Sequence, residues 1–249
     1  MIISACNLSI VPLRAEPSHR SEMVSQVLFG ETFEIVEEGI DFVKIRLTET
    51  KYEGWIQKHQ FGPLHLSDAN NDSIVDIDGA VAVSEDKSIV LVPGTTVSAS
   101  TIQIGEDSFK IEGKLRKPVL EDFDVEFPKL IQYYLHAPYV WGGRSIYGID
   151  CSGFSQAVFR HFGISILRDA YQQAESGTAV DFLPEIKVGD LAFFDNDQGK
   201  ITHVGVMMDN ETIIHASSQI RIDKMDSQGI FNAEQNRYTH KLRIVKRYF

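Results

Sequence analysis

The chain has 249 residues and a formal charge of −11, from 24 Lys plus Arg against 35 Asp plus Glu. That length exceeds one small module, since domains run ~100–150 residues at the mode, and the acidic balance argues against a phosphate backbone as partner. Hydrophobic residues at 43% and charged residues at 24% suit a packed core rather than a disordered chain.

The two cysteines, Cys6 and Cys151, are too few for a secreted disulfide scaffold, and both are read as free thiols. The run Met1 to Leu8 has no basic leader and no long apolar stretch. The expectation is therefore no signal peptide and a cytoplasmic location. No stretch approaches the ~18 apolar residues of a membrane span.

In chain order, the first region is expected to be a small β-barrel over 1–65. Phe33–Glu37 and Phe42–Leu47 alternate like strands, Gly30 and Gly39 punctuate them, and Gly54-Trp55-Ile56 closes the region. The second region, 66–118, is expected to be a second barrel, complete or partial. Its strands are Ala80–Val83, Ile89–Val92 and Phe109–Gly113, with turns at Pro93-Gly94 and Gly105–Asp107. The third region, 119–249, opens with a helix over Phe127–Leu135. A second helix runs from Cys151 or Ser152 to Phe162, with Phe154, Val158, Phe159 and Phe162 at helical spacing and Gly163 as its stop. Strands Leu191–Phe194, Val204–Met207 and Thr212–His215 follow, which is the pattern of an α+β domain.

Cys151 sits where coil becomes helix, in Gly148-Ile149-Asp150-Cys151-Ser152-Gly153. The positive end of the helix dipole favours a thiolate there, and free first-turn N–H groups suit an oxyanion. A buried cysteine capping a helix would look the same. His203 and His215 flank a turn near Met208–Glu211. A hairpin centred on Asp209 makes them direct cross-strand neighbours on one face, provided the loop has odd length. His203 is then a base for the thiol and His215 its orienting partner. One Cys and two His also compose a zinc ligand set, although no CxxC or HExxH spacing supports it.

Tyr139-Val140-Trp141-Gly142-Gly143, the Asp150-Cys151-Ser152-Gly153-Phe154 run, Thr202-His203-Val204-Gly205 and His215-Ala216 together resemble the NlpC-type cell-wall cysteine peptidases. The resemblance spans most of 119–249 and implies a papain-like fold. Val11–Arg14, Ser21–Gln26, Phe29–Glu31 and Tyr52–Ile56 resemble the bacterial SH3-like domains of a subgroup acting on free murein peptides. The whole is thus expected to be multidomain, with two small all-β SH3-like barrels before an α+β papain-like peptidase domain.

The resemblance implies a γ-D-glutamyl-L-diamino acid endopeptidase that releases L-Ala-γ-D-Glu from peptides with a free N-terminal L-Ala. It makes Cys151 the nucleophile, His203 base then acid, and His215 the orienter. Tyr139 is either a hydroxyl near the oxyanion or an ordinary half-buried aromatic. A free ammonium needs carboxylate and hydroxyl partners, for which Glu22, Tyr52 and Asp169 are candidates, with Asp150 and Ser152 lining the same side. Ala170 stands where a serine is common, so one amine-side hydrogen bond is missing or replaced. Arg168 is a candidate for the free α-carboxylate of D-Glu, or else a surface ion pair.

Two rival readings remain at this level. One is a secreted endopeptidase of intact wall with wall-binding barrels, and the other a non-catalytic binder of murein fragments. The expected partner is a small murein peptide, with no nucleic acid, membrane or protein partner, no cofactor and no metal.

Overall fold

A computed structural model describes residues 3–66 and 73–249. Residues 67–72, just past the expected boundary at 65, and the first two residues of the N-terminal reading lie outside that description. The chain forms two compact units. One runs to Glu126 and includes Arg160–Ser165, and the other comprises Phe127–Phe159 and Ile166–Phe249.

The N-terminal unit carries β1 (Ser4–Cys6), β2 (Ile10–Arg14), β3 (Met23–Leu28), β4 (Thr32–Glu38), β5 (Phe42–Leu47), β6 (Glu53–Gln57) and β7 (Phe61–Leu66). After these come β8 (Ser73–Val83), β9 (Ser88–Leu91), β10 (Thr96–Val97), β11 (Thr101–Ile104) and β12 (Asp107–Arg116). Alternation makes these strands. In β2, Val11 and Leu13 are buried while their neighbours are half-buried, which is the period-2 signature of a sheet with one covered face.

The two expected barrels are not separate. All twelve strands belong to one hydrogen-bonded sheet. The join is β7, which pairs with β1 through Ala5↔Gly62 and with β11 through Ile104↔Leu64. Two apolar clusters fill the sheet, one around Val11, Phe33, Ile45 and Ile56, the other around Val75, Ile102 and Phe109. The second cluster borrows Ala5 and Phe29 from the first region, and Phe29 meets Phe109 edge-on at 5.3 Å. The strands of 66–118 share β7 and core side chains with the region before them, so the two regions do not fill separate cores.

The C-terminal unit begins within α1 (Phe123–Tyr134), which starts four residues before the expected helix and holds Pro128 inside it. Next come β13 (Arg144–Ser145), β14 (Gly148–Ile149), α2 (Cys151–Arg160), α3 (Ala170–Ala174) and β15 (Thr178–Val180). The remaining strands are β16 (Leu191–Asp195), β17 (Ile201–Met207), β18 (Thr212–Ser217), β19 (Gln219–Asp226), β20 (Gly229–Asn232) and β21 (Arg237–Arg247). Their order is β15-β21-β16-β17-β18-β19-β20, and β20 also pairs with β21, so six strands close into a ring. Every residue of α2 from Cys151 to Phe159 is buried, as expected of a helix enclosed on all sides. Among its polar members, Ser155 Oγ donates to the Cys151 carbonyl at 3.2 Å and Gln156 Nε2 to the Ile166 carbonyl at 2.9 Å.

Candidate active site

The turn that presents Cys151 is built on Asp150. Its Oδ1 accepts from the Gly153 N–H at 2.7 Å, capping α2, and its Oδ2 accepts from the Gly142 N–H at 2.8 Å. One carboxylate thus ties the Tyr139–Gly143 loop to the helix that begins with the thiol. Gly153 is required by that closeness, because a Cβ there would lie 2.2 Å from the Gly143 carbonyl oxygen.

Arg168 completes the group. It donates to Asp150 Oδ1 at 3.1 Å, to Asp150 Oδ2 at 2.5 Å and to Ser152 Oγ at 2.8 Å, with its side chain 3% exposed. It is therefore an internal counter-ion to Asp150. It is not the surface ion pair that the sequence allowed. A buried carboxylate takes the nearest guanidinium because leaving either charge unpaired costs several kcal/mol, of the order of ~3–5.

His203 and His215 come together, but in a different register from the one expected. The pairs are Gly205↔His215, Val206↔Ile214 and Met207↔Ile213, so the hairpin is centred on Asn210 and not on Asp209. The shift is two residues in pairing, which preserves the face. His203 and His215 are diagonal neighbours, and His203 Nε2 lies 2.9 Å from His215 Nδ1. Two features permit the diagonal reach. Gly205, opposite His215, has no side chain, and a Cβ there would stand 2.9 Å from His215 Cβ. On β17, Phe194 pairs with His203 but Asp195 pairs with Ile201, so Thr202 is bulged out just before His203.

The chain of contacts continues beyond the expected pair. His215 Nε2 lies 3.0 Å from Asp223 Oδ2, and both side chains are buried. Arg221 holds Asp223, donating to Oδ1 at 3.0 Å and placing Nε 2.7 Å from Oδ2. His240 stacks on His203, with centroids 4.1 Å apart and planes 25° from parallel. Neither Asp223 nor His240 was singled out from sequence. The polar run Ser217-Ser218-Gln219 was the available signal for Asp223, since a tight turn there sets His215↔Arg221 and makes Asp223 the diagonal neighbour. His240 arrives through β21, whose pairing with β16, as in Phe194↔Leu242, is long-range and leaves no mark in the sequence nearby.

Burial dominates the electrostatics. It pushes the Cys151 thiol up to about 12, and the Asp150 charge adds to that, while the Val204 N–H, Arg168 and the Ser152 N–H pull the other way. Burial likewise holds His203 well below the ordinary imidazole range, helped by His215 and His240. Burial thus favours the uncharged thiol and the uncharged imidazole, against the helix-end effect expected from sequence. Burial also pushes the half-buried Tyr139 up to about 12, with the charges of Cys151 and Asp150 contributing, which keeps its hydroxyl a donor.

The other sequence candidates are placed as follows. Asp169 caps α3 in a reciprocal box with Gln172, and Ala170 is buried at its first turn. Glu22 and Tyr52 lie in the N-terminal unit, Glu22 exposed before β3 and Tyr52 half-buried before β6. As for metals, His203, His215 and His240 offer ligand atoms within 4.8 Å of one another. The near-parallel stack of His203 and His240 prevents one ion from lying in both ring planes, so this set suits hydrogen-bond relay better than coordination. No helix among the described residues is long and apolar enough to cross a membrane.

Comparison with known proteins agrees with this architecture. The model of the NlpC/P60 family matches residues 136–240, and that of the bacterial dipeptidyl-peptidase Sh3 domain matches 13–61. Gamma-D-glutamyl-L-lysine dipeptidyl-peptidase of Bacillus subtilis is 30% identical over 214 residues, covering 77% of this chain and 71% of that protein. Dipeptidyl-peptidase 6 of Lysinibacillus sphaericus is 27% identical over 248 residues, covering 87% of this chain and 89% of its own length. The crystal structure of an NlpC/P60 family protein from Bacillus cereus has a TM-score of 0.79 over 99% of both chains, and its 20% identity speaks for the fold alone. The chain belongs to the NlpC/P60 family of peptidases. Within it, this is a cell-wall hydrolase type with an N-terminal bacterial SH3 domain.

Proposed function

We propose that this protein is a cysteine peptidase that cleaves the γ-D-Glu–L-diamino acid bond of murein peptides bearing a free N-terminal L-Ala, and so releases L-Ala-γ-D-Glu. The observation that carries the chemistry is that Cys151, at the head of α2, is met by the backbone N–H of Val204, the residue after His203, which lies 2.9 Å from His215. The names of the relatives support the bond and the dipeptide product.

The reaction runs through a thioester. Cys151 Sγ attacks the γ-carbonyl carbon as its proton passes to His203 Nδ1, the ring nitrogen that His215 leaves open. The oxyanion is met by N–H donors at the head of α2 and by the Tyr139 hydroxyl. His203 returns the proton to the leaving amine of the diamino acid. A water then gives its proton to His203 and attacks the thioester, which frees the γ-glutamyl carboxylate and restores the thiol. Asp150 and Ser152 support this geometry from beside the nucleophile, and Asp169 supplies a carboxylate for the substrate ammonium. The parts that the resemblance gives to Glu22 and Tyr52 are tested by substitution.

The deciding experiment compares L-Ala-γ-D-Glu-L-Lys with its N-acetylated form. Cleavage of the free peptide at the γ-D-Glu–Lys bond, lost on acetylation and in Cys151→Ala, is expected. Equal rates on both peptides would remove amine recognition, and turnover by Cys151→Ala would remove the nucleophile.

A further inference from the structure

We infer that Asp223 is a fourth member of the relay, a positioning residue that sets which nitrogen of His203 carries the proton. This rests on the reading of His203 as the base.

Proton direction decides the role of Asp223. For His203 to take a proton from Cys151 at Nδ1, that nitrogen must be bare and Nε2 must hold the hydrogen. His203 Nε2–H then donates to His215 Nδ1 across 2.9 Å, so His215 carries its own hydrogen on Nε2. That hydrogen needs an acceptor, and Asp223 Oδ2 stands 3.0 Å away. Asp223 can only accept, because a carboxylate has no proton to give. Its side chain is 5% exposed, yet Arg221 at 2.7 Å together with the His215 contact holds it below the usual carboxylate range, against the pull of burial. The acceptor at one end of the chain thus fixes the tautomer at the other, two hydrogen bonds away.

Without Asp223 the direction reverses. A buried His215 Nε2–H with no partner costs ~1–3 kcal/mol. Moving the hydrogen to Nδ1 relieves that cost. His215 then donates to His203 Nε2, and the hydrogen of His203 shifts to Nδ1, where it faces the thiol and blocks proton uptake.

The test is nitrogen NMR of histidine-labelled full-length protein, with kinetics in parallel. The native chain is expected to show His203 protonated at Nε2 and His215 at Nε2. Asp223→Leu is expected to show both protonated at Nδ1, with kcat lower on the order of 10²-fold or more and KM within about twofold. Asp223→Asn retains an acceptor oxygen and nearly the same volume, so the native nitrogen pattern and most of kcat should survive. Folding of each variant is read from the remaining histidine signals. Native tautomers in folded Asp223→Leu, or an unchanged kcat, would overturn the inference. If Asp223→Leu does not fold, a native chain with His203 protonated at Nδ1 overturns it just as directly. Turnover by Cys151→Ala would instead sink the peptidase reading, and the nitrogen pattern would still judge Asp223.

Discussion

His215 stands directly across the hairpin from Gly205, not from His203. The diagonal contact between the two histidines therefore depends on a missing side chain. A Cβ at position 205 would lie 2.6 Å from Ile213 Cδ1 and 2.9 Å from His215 Cβ. Gly205→Ala should overpack the site at a cost of ~1–3 kcal/mol. By shifting His215 it should lower kcat/KM on the order of 10²-fold. Steady-state kinetics with thermal unfolding checks both, and an alanine variant with native activity would show that His215 does not orient His203.

Arg168 is the counter-ion of a carboxylate that caps the nucleophile helix. Arg168→Leu leaves Asp150 buried with only backbone donors and Ser152. The expected loss is ~3–5 kcal/mol of stability in the C-terminal unit, as for other broken buried pairs. Arg168→Lys should recover part of it, since a point charge cannot reproduce the fork that meets both oxygens. Denaturant unfolding is the measurement, and a change under ~0.5 kcal/mol, the size of an ordinary surface substitution, would contradict the assignment.

The stack of His240 on His203 predicts a graded series. His240→Phe keeps a flat ring against the base, whereas His240→Ala opens that face. Aromatic pairs are worth ~0.5–1.5 kcal/mol, so kcat should fall roughly 2- to 10-fold in the alanine variant and less in phenylalanine. Equal kcat in all three proteins would show the stack to be without effect on the base.

His161 makes the N-terminal unit acid-sensitive. It is fully buried beside Arg116 and Arg160, and burial first, then those charges, lower it from 6.5 to about 3. The unfolded chain takes up this proton near 6.5 and the folded chain does not until about 3. Its contribution is therefore complete above the unfolded value and is lost as pH falls through that window, at up to ~1.4 kcal/mol per pH unit. His161→Gln should flatten the pH dependence of unfolding there. Parallel curves for the two proteins would refute it.

The site's first half was legible because its signals are local. Cys151 announces itself by lying between a loop and an apolar helix, and the histidine pair by the odd loop between two strands. Even the register error left the shared face intact, since a shift of two keeps side-chain parity. What escaped was Asp223, across the next hairpin, and whatever distant pairing brings in: His240 on β21, and the closure of the ring by β21 against β16. The burial of Arg168 against Asp150 was not legible, because a sequence does not say which carboxylate a guanidinium will be buried against. In the N-terminal region the strands were readable, but the sharing of β7 was not, as it depends on Ala5 and Ile104, 99 positions apart and paired to the same strand.

That shared strand limits how the chain can be taken apart. An N-terminal fragment ending before β7 would leave β1 with an unmet row of backbone donors and acceptors, and the remainder would leave the β1-facing edge of β7 in the same state. Open strand edges are templates for self-association. The SH3 module is thus not a portable cassette at its own matched boundary: a soluble fragment, or a swap between homologues, has to carry residues through β12 as one piece.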